Sequence, residues 1–191
     1  MSNKQKEGKL IDAANYEVTE TLKKGALVKI RSIKPEDKEK ISEAFRNLES
    51  ESIYTRFFQH KKDLSEKELK GATEVDFENV VALVVTIGEG ENQVIIGGGR
   101  YVILDGSAAA PSAEVAFTVE EDYHGQGIAG RLLKHLGSIG KEKGVHQFVA
   151  EVLPENKAML AVFSRAGFPM EKHHEEGVVH VTLSLKDSEA D

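Results

Sequence analysis

The chain has 191 residues, 40% of them apolar and 30% charged, which fits one soluble domain with a short appendage and excludes a collagen-like, coiled-coil or mostly disordered chain. Lys and Arg total 25 against 32 Asp and Glu, a net charge of -7, so a general attraction to nucleic acid or to an anionic membrane surface is not expected and any bound anion must be held locally. Cysteine is absent, which removes disulfides, thiolate metal sites and a cysteine nucleophile together and suits a cytoplasmic protein.

Residues 1–25 mix Lys4, Lys6, Glu7, Lys9, Asp12, Glu17 and Glu20 with few apolar residues and read as an N-terminal extension, neither a signal peptide nor an anchor. The longest apolar run, Val80 to Ile87, is far short of the ~20 residues that span a bilayer. Ala26 to Ile33 is then a strand, followed by a helix that begins at Pro35, Glu36 and Asp37 and carries Ile41, Ala44, Phe45 and Leu48 at helical spacing. Asp63 with Glu66 three residues on forms a capping pair for a short helix from Leu64 to Lys70, stopped by Gly71.

Val80 to Ile87 and Val94 to Leu104 are β-branched runs joined through Gly88, Gly90 and Asn92, an antiparallel hairpin buried on both faces. Gly97, Gly98 and Gly99 lie inside the second strand and mark a bulge or a close backbone contact. A loop covers 105–112. Ala113 to Val119 is a strand with Val115, Phe117 and Val119 on one face and Glu114, Ala116 and Thr118 on the other. An acidic run, Glu120 to Asp122, precedes a glycine-rich turn, and Ile128, Leu132, Leu136 and Ile139 repeat at helical spacing up to Gly144. His146 to Leu153 is a strand, Pro154 and Asn156 open a helix ended by Gly167, and Val178 to Leu185 alternates as a last strand before the polar tail 186–191. The domain proper is placed at 26–185.

Glycines at a helix start let backbone N–H groups close on an anion, and the helix dipole favours negative charge there, so a phosphate is the natural guest of Gly125, Gln126, Gly127, Ile128, Ala129 and Gly130. Residues 125–130 also match the dinucleotide pattern G-x-G-x-x-G, with Glu151 at the right distance to hold a ribose hydroxyl. Against that rival, Glu121 to His124 separate the strand from the glycines, and the repeated βαβ units of a doubly wound sheet are missing.

Tyr123-His-Gly-Gln-Gly-Ile-Ala-Gly-Arg-Leu-Leu133 resembles motif A of the GNAT superfamily of acetyltransferases. Val152-Leu-Pro-Glu-Asn-Lys-Ala-Met-Leu160 through Ala166-Gly-Phe168 resembles its second signature, a strand and an Asn-started helix ending in Gly-Phe. Tyr54-Thr-Arg-Phe-Phe58, the helix from Leu64, Ala113-Glu-Val-Ala-Phe117 and Val152-Leu-Pro-Glu-Asn156 are similar to the catalytic domain of bacterial protein-lysine acetyltransferases that modify acyl-CoA synthetases. The resemblance implies an α/β fold with a mixed, mostly antiparallel sheet flanked by helices, in which two parallel strands splay into an acetyl-CoA cleft. A cyclic-nucleotide-binding domain precedes this one in some of that group, and the 25-residue extension is too short to be one.

The resemblance places the pyrophosphate of acetyl-CoA on the amides of Gly125 to Gly130 and its pantetheine arm against the backbone of Phe117 and Val119, faced by Asn156. Asn156 serves equally as the cap of its helix. His124 stands where the motif has Gln or Arg and either meets phosphate or is solvated. Arg131 and Lys134 either meet an outer phosphate or lie in solvent. Acetyl transfer to a lysine amine needs a base to take the ammonium proton. Glu114 is the candidate: it precedes the turn on a face whose other residues, Ala116 and Thr118, leave room for substrate, and the corresponding Glu is the base in the enzymes resembled.

Phe163 falls where many members have the Tyr that protonates the leaving thiolate, so no acid is assigned, and direct transfer in a ternary complex is expected. His173, His174 and His180 with Glu171, Glu175 and Glu176 are expected to form a solvated hairpin turn, with no metal required. The acidic run either draws a cationic substrate or is a wet loop. The expected activity is acetyl transfer to a primary amine, foremost lysine on a protein such as an acyl-CoA synthetase. Acetylation of a small amine and a non-catalytic acyl-CoA-binding module stand as alternatives.

Overall fold

The computed structural model describes residues 10–57, 59–104 and 111–186. The loop expected at 105–112 and the polar tail therefore lie almost wholly outside the described residues. One eight-stranded sheet runs β1-β2-β3-β4-β5-β6-β8-β7. Its strands are β1 (Glu17–Thr21), β2 (Leu27–Ser32), β3 (Val80–Ile87), β4 (Val94–Ile103), β5 (Ser112–Val119), β6 (Gln147–Val152), β7 (Met170–Glu175) and β8 (Val178–Ser184). The helices are α1 (Lys38–Asn47), α2 (Ser50–Phe57), α3 (Glu66–Thr73), α4 (Ile128–Glu142) and α5 (Lys157–Ser164). Every neighbouring pair is antiparallel except β5 and β6. The mixed, mostly antiparallel α/β architecture is thus the one expected, and a single parallel pair rules out the doubly wound sheet that a dinucleotide fingerprint needs.

Two layers of helix cover the sheet. The amphipathic stripe of α4, with Leu132, Leu133, Leu136 and Ile139 all at 1% exposure or less, packs with α5 on one face against Val115, Phe117 and Phe148. On the other face Ile41 and Ala44 of α1 meet Ile33, Ala82, Val84 and Ile95 in a smaller cluster. The second cluster is anchored by Arg31, which donates to both oxygens of Asp37 at 2.8 Å, both side chains being buried.

Several expectations need correction. Five residues of the stretch read as an extension, Glu17–Thr21, pair with β2 as the sheet's edge strand. Helix α2 carries no long apolar stripe and was not read as a helix. α3 starts two residues later than expected, because Ser65 and Glu68 form the capping box, while the Asp63 carboxylate is engaged by Arg46 at 2.7 Å. That helix also passes through Gly71 rather than stopping there. α5 ends at Ser164, three residues before Gly167. The histidine cluster is not in a turn: Glu171, His173, His174 and Glu175 belong to β7, and the turn is Glu176–Gly177, with φ of 49° and 82°.

The three glycines of β4 behave as expected, and both readings hold. The β3–β4 register slips between Val85 and Thr86, which pair with Gly97 and Ile95, so Ile96 beside Gly97 is the extra residue of a bulge in β4. A methyl on Gly99 would stand 2.6 Å from the Phe117 ring and 3.3 Å from Leu136, and one on Gly97 would stand 3.1 Å from Ile128. Helix α4 therefore sits close on the sheet only because these positions lack side chains.

Candidate active site

The site forms where β5 and β6 part. Ser112, Ala113 and Glu114 pair with Gln147, Phe148 and Val149, and the ladder stops there. Beyond that point β5 pairs with β4 alone, up to Val119 against Gly97, and β6 pairs with β8 alone. The backbone edges of Phe117 and Val119 and of Ala150 to Val152 thus border a wedge-shaped gap, suited to an extended arm bearing amide groups. Phe117 turns its ring the other way, into the core, where it meets Phe163 at 6.2 Å between centroids.

At the open end of the wedge a 3₁₀ turn, Glu121–Tyr123, leads into α4 through Gly125 and Gly127, with φ of 74° and 89°. The left-handed turns aim successive amides outward ahead of the helix dipole. Among the turn and cap hydrogen bonds of the described residues, none is donated by the amides of Gly125, Gly127, Ile128, Ala129 or Gly130. A methyl on Gly125 or Gly130 would meet no protein atom within 4 Å, so the protein itself does not require the bare backbone of Gly130. Unpaired amides over open space make a cradle that fits an anion of phosphate size.

The remaining candidates take varied positions. Gln126 is buried, and among the described residues its Oε1 has no partner while Nε2 points to the Asp122 carbonyl at 3.5 Å. The His124 ring is exposed, and its Nε2–H donates to the Val119 carbonyl at 2.8 Å, across the end of β5. Arg131 bridges the glycine turn and β1: Nη1 reaches the Gln126 and Gly127 carbonyls at 3.5 Å, Nε stands 2.6 Å from Glu20 Oε2 and Nη2 donates to the Thr21 carbonyl at 2.6 Å. Glu20 also meets His135 Nε2 at 2.6 Å, and His135 Nδ1 lies 2.6 Å from the Tyr16 hydroxyl. Burial first, and the Glu20 charge second, push the Tyr16 hydroxyl above its ordinary value. Lys134 is exposed. Asn156 caps α5, accepting from the Met159 amide at 3.1 Å, and stands directly after the β6 edge of the wedge. Phe163 is 1% exposed, a core residue with no polar atom.

Glu114 is exposed at the point where the two strands part, on the same face as Ala116 and Thr118. Those two small residues line a cavity of about 450 Å³ between the sheet and α1, α2 and α3, whose walls also include Arg56, Phe57, Arg100 and Glu120. Glu114 itself is not among the residues that line it. Two arginines missed by sequence reasoning are. Burial, then the charge of Arg100, hold the Arg56 guanidinium down at about 10, and Glu114 acts in the opposite sense. Arg56 also lies over the Phe57 ring, 5.0 Å from its centroid. Its only sequence signal was the Tyr54–Phe58 stretch carried by family likeness.

The acidic run is divided in its roles. Glu120 lines the cavity, and burial followed by the charges of Asp122 and Glu121 raises its carboxyl above the usual range. Glu121 accepts from the Glu49 amide at 3.0 Å, tying the turn to the α1–α2 junction. Glu151 is the register partner of His180 on β8, its Oε1 3.7 Å from His180 Nδ1. No helix among the described residues is long and apolar enough to cross a membrane.

Comparison with known proteins agrees with this geometry. A model of the family described as Acetyltransferase (GNAT) family matches residues 42–168. Acetyltransferase Pat of Mycolicibacterium smegmatis is 34% identical over 138 residues, covering 72% of this chain and 40% of that protein, so the chain spans well under half the length of this relative. The crystal structure of the GNAT domain of S. lividans PAT superposes with a TM-score of 0.80 at 34% identity, covering 88% of this chain and 96% of that one. The structure of yncA from Salmonella typhimurium, with its cofactor acetyl-CoA, has a TM-score of 0.65 at 17% identity, covering 85% and 96%, and shares the fold.

Proposed function

Since the chain belongs to the GNAT acetyltransferase family, we propose that it transfers an acetyl group from acetyl-CoA to the side-chain amine of lysine on a protein, by direct attack in a ternary complex. The observation that carries this reading is the coincidence of three features at one place. The parallel ladder ends at Glu114, the gap beyond it is bordered by strand edges, and its far end meets amides that donate no turn or cap hydrogen bond among the described residues. The resemblance to bacterial protein-lysine acetyltransferases supports a protein acceptor, and the acetyl-CoA reported with yncA supports the donor.

In this reading the amides from Gly125 to Gly130 hold the pyrophosphate, and the edges of Phe117, Val119 and the strand before Asn156 hold the pantetheine arm. The acetyl carbonyl then lies near the parting point. Glu114 takes the proton from the incoming ammonium, directly or through a water. The freed amine attacks the carbonyl carbon, the C–S bond breaks, and the leaving thiolate takes a proton from water or from the newly acylated nitrogen. Phe163 cannot supply that proton.

The cavity of about 450 Å³ favours a second reading, in which a small amine enters whole. Incubation with acetyl-CoA and either a bacterial lysate or a panel of free amines separates the two. Acetyl-lysine on lysate proteins, absent with Glu114→Gln, supports the protein acceptor. Turnover of free amines alone supports the second reading, and neither outcome with tight CoA binding overturns both in favour of a binding module.

A further inference from the structure

Three strands far along the chain carry on one face a row of groups that acetyl transfer does not use. His173 of β7 and His180 of β8 are register partners, and their rings lie 10° from parallel with centroids 4.8 Å apart. Glu175 follows His173 by two residues and so shares its face, with Oε2 3.6 Å from His173 Nε2. On the other side of His180 its register partner on β6 is Glu151, with Oε1 3.7 Å from His180 Nδ1. One ligand atom from each of His173, Glu175 and His180 lies within 4.8 Å of the other two.

We propose that His173, His180 and Glu175, with Glu151 at the far end of the row, form a binding site for a borderline divalent transition metal of the Zn²⁺ class. Two imidazoles and a carboxylate, with a fourth position open to water or a second carboxylate, are the donor set that zinc takes and that magnesium and calcium do not. A tetrahedral ion at ~2.0–2.1 Å from each nitrogen brings the nitrogens to ~3.3 Å, a closure that exposed side chains make by rotation about their own bonds. The backbone beneath is already fixed. Glu175 is the last residue of β7, and the two-residue turn after it, with φ positive at both Glu176 and Gly177, is of the kind that pins hairpin register. A slip by one residue would send His173 and His180 to opposite faces, so the tight turn sets the ligand geometry. The proposal is independent of the acetyl-transfer reading, because that reading uses none of the four side chains and none of them lines the cavity.

The test titrates Zn²⁺ alone into chelator-stripped full-length chain by calorimetry, with Co²⁺ absorption as a second reading of coordination geometry. One site per chain is expected, with visible Co²⁺ bands of tetrahedral intensity. His173→Ala and His180→Ala should each weaken Zn²⁺ at least ~tenfold, and Glu175→Gln about as much. His174→Ala, one residue away on the opposite face, should leave affinity unchanged. All four side chains are solvent-accessible, so metal-free circular dichroism of the variants reports whether the hairpin is intact. Absence of a stoichiometric site in the parent chain, or equal weakening by His174→Ala, overturns the proposal.

Discussion

Gly130→Ala separates the fold from the cofactor at a single atom. Gly130 is the third residue of α4, and a methyl there meets no protein atom within 4 Å. Alanine in a helix is ~1 kcal/mol better than glycine, and less near an end, so the variant should gain about 0.5–1 kcal/mol, or ~1–4 °C in Tm for a chain of this size. The same methyl enters the space over the amides where a diphosphate would settle. Losing one charge-assisted hydrogen bond costs about 1.5–3 kcal/mol, which is roughly a ten- to hundredfold rise in the Kd for CoA. Denaturant unfolding and calorimetric titration with CoA read the two effects separately. A more stable protein with unaltered CoA affinity would refute the placement of the pyrophosphate on α4. A less stable one would refute the open space above Gly130.

Glu114→Gln keeps the shape of the wedge and should leave CoA binding intact while the transfer rate falls ~10²- to 10⁴-fold; steady-state kinetics showing an unchanged rate would remove the base. Asp37→Ala leaves the buried Arg31 guanidinium unpaired and should cost about 3–5 kcal/mol in chemical denaturation. Burial acts to raise the Asp37 carboxyl, but the Arg31 hydrogen bond, the Lys34 amide and the Arg31 charge outweigh it and lower it. A folded-state value below the unfolded ~3.9 gives stability that is complete above that value and is lost as pH falls through the lowered one, so the gap between parent and variant should shrink only in strong acid. Gly99→Ala should destabilise by about 1–3 kcal/mol through the contact at 2.6 Å with Phe117, measured by thermal unfolding. No loss there would mean that Phe117 is free to move.

The central hairpin, the strand of Glu114 and helix α4 were legible because each buries a full face, and burial writes periodicity into sequence. β1 and β7 were not. Five of the six residues Met170–Glu175 are charged or histidine side chains in water, and the strand exists because β8 offers its edge, a contact that no local pattern records. The cap of α3 was offset because two overlapping Asp/Ser-x-x-Glu frames compete, and Arg46, seventeen residues earlier, removes Asp63 from the contest. At the site, the glycine turn and the small face of β5 were visible locally. The company of Arg56 and Arg100 beside Glu114, and the capture of Arg131 by Glu20, arise from chain segments that meet only once folded.

That capture has a dynamic consequence. Tyr16, His135, Glu20 and Arg131 make a continuous polar chain from the outermost strand to the first turn of α4, and the Lys23 amide reaches the Gln126 carbonyl at 3.5 Å. An edge strand would ordinarily fray by itself, yet here its release also frees the Arg131 side chain braced against the glycine turn, so the two open as one cooperative unit. If CoA binds at the glycine turn as proposed, amide hydrogens of residues 17–21 should therefore exchange more slowly in its presence.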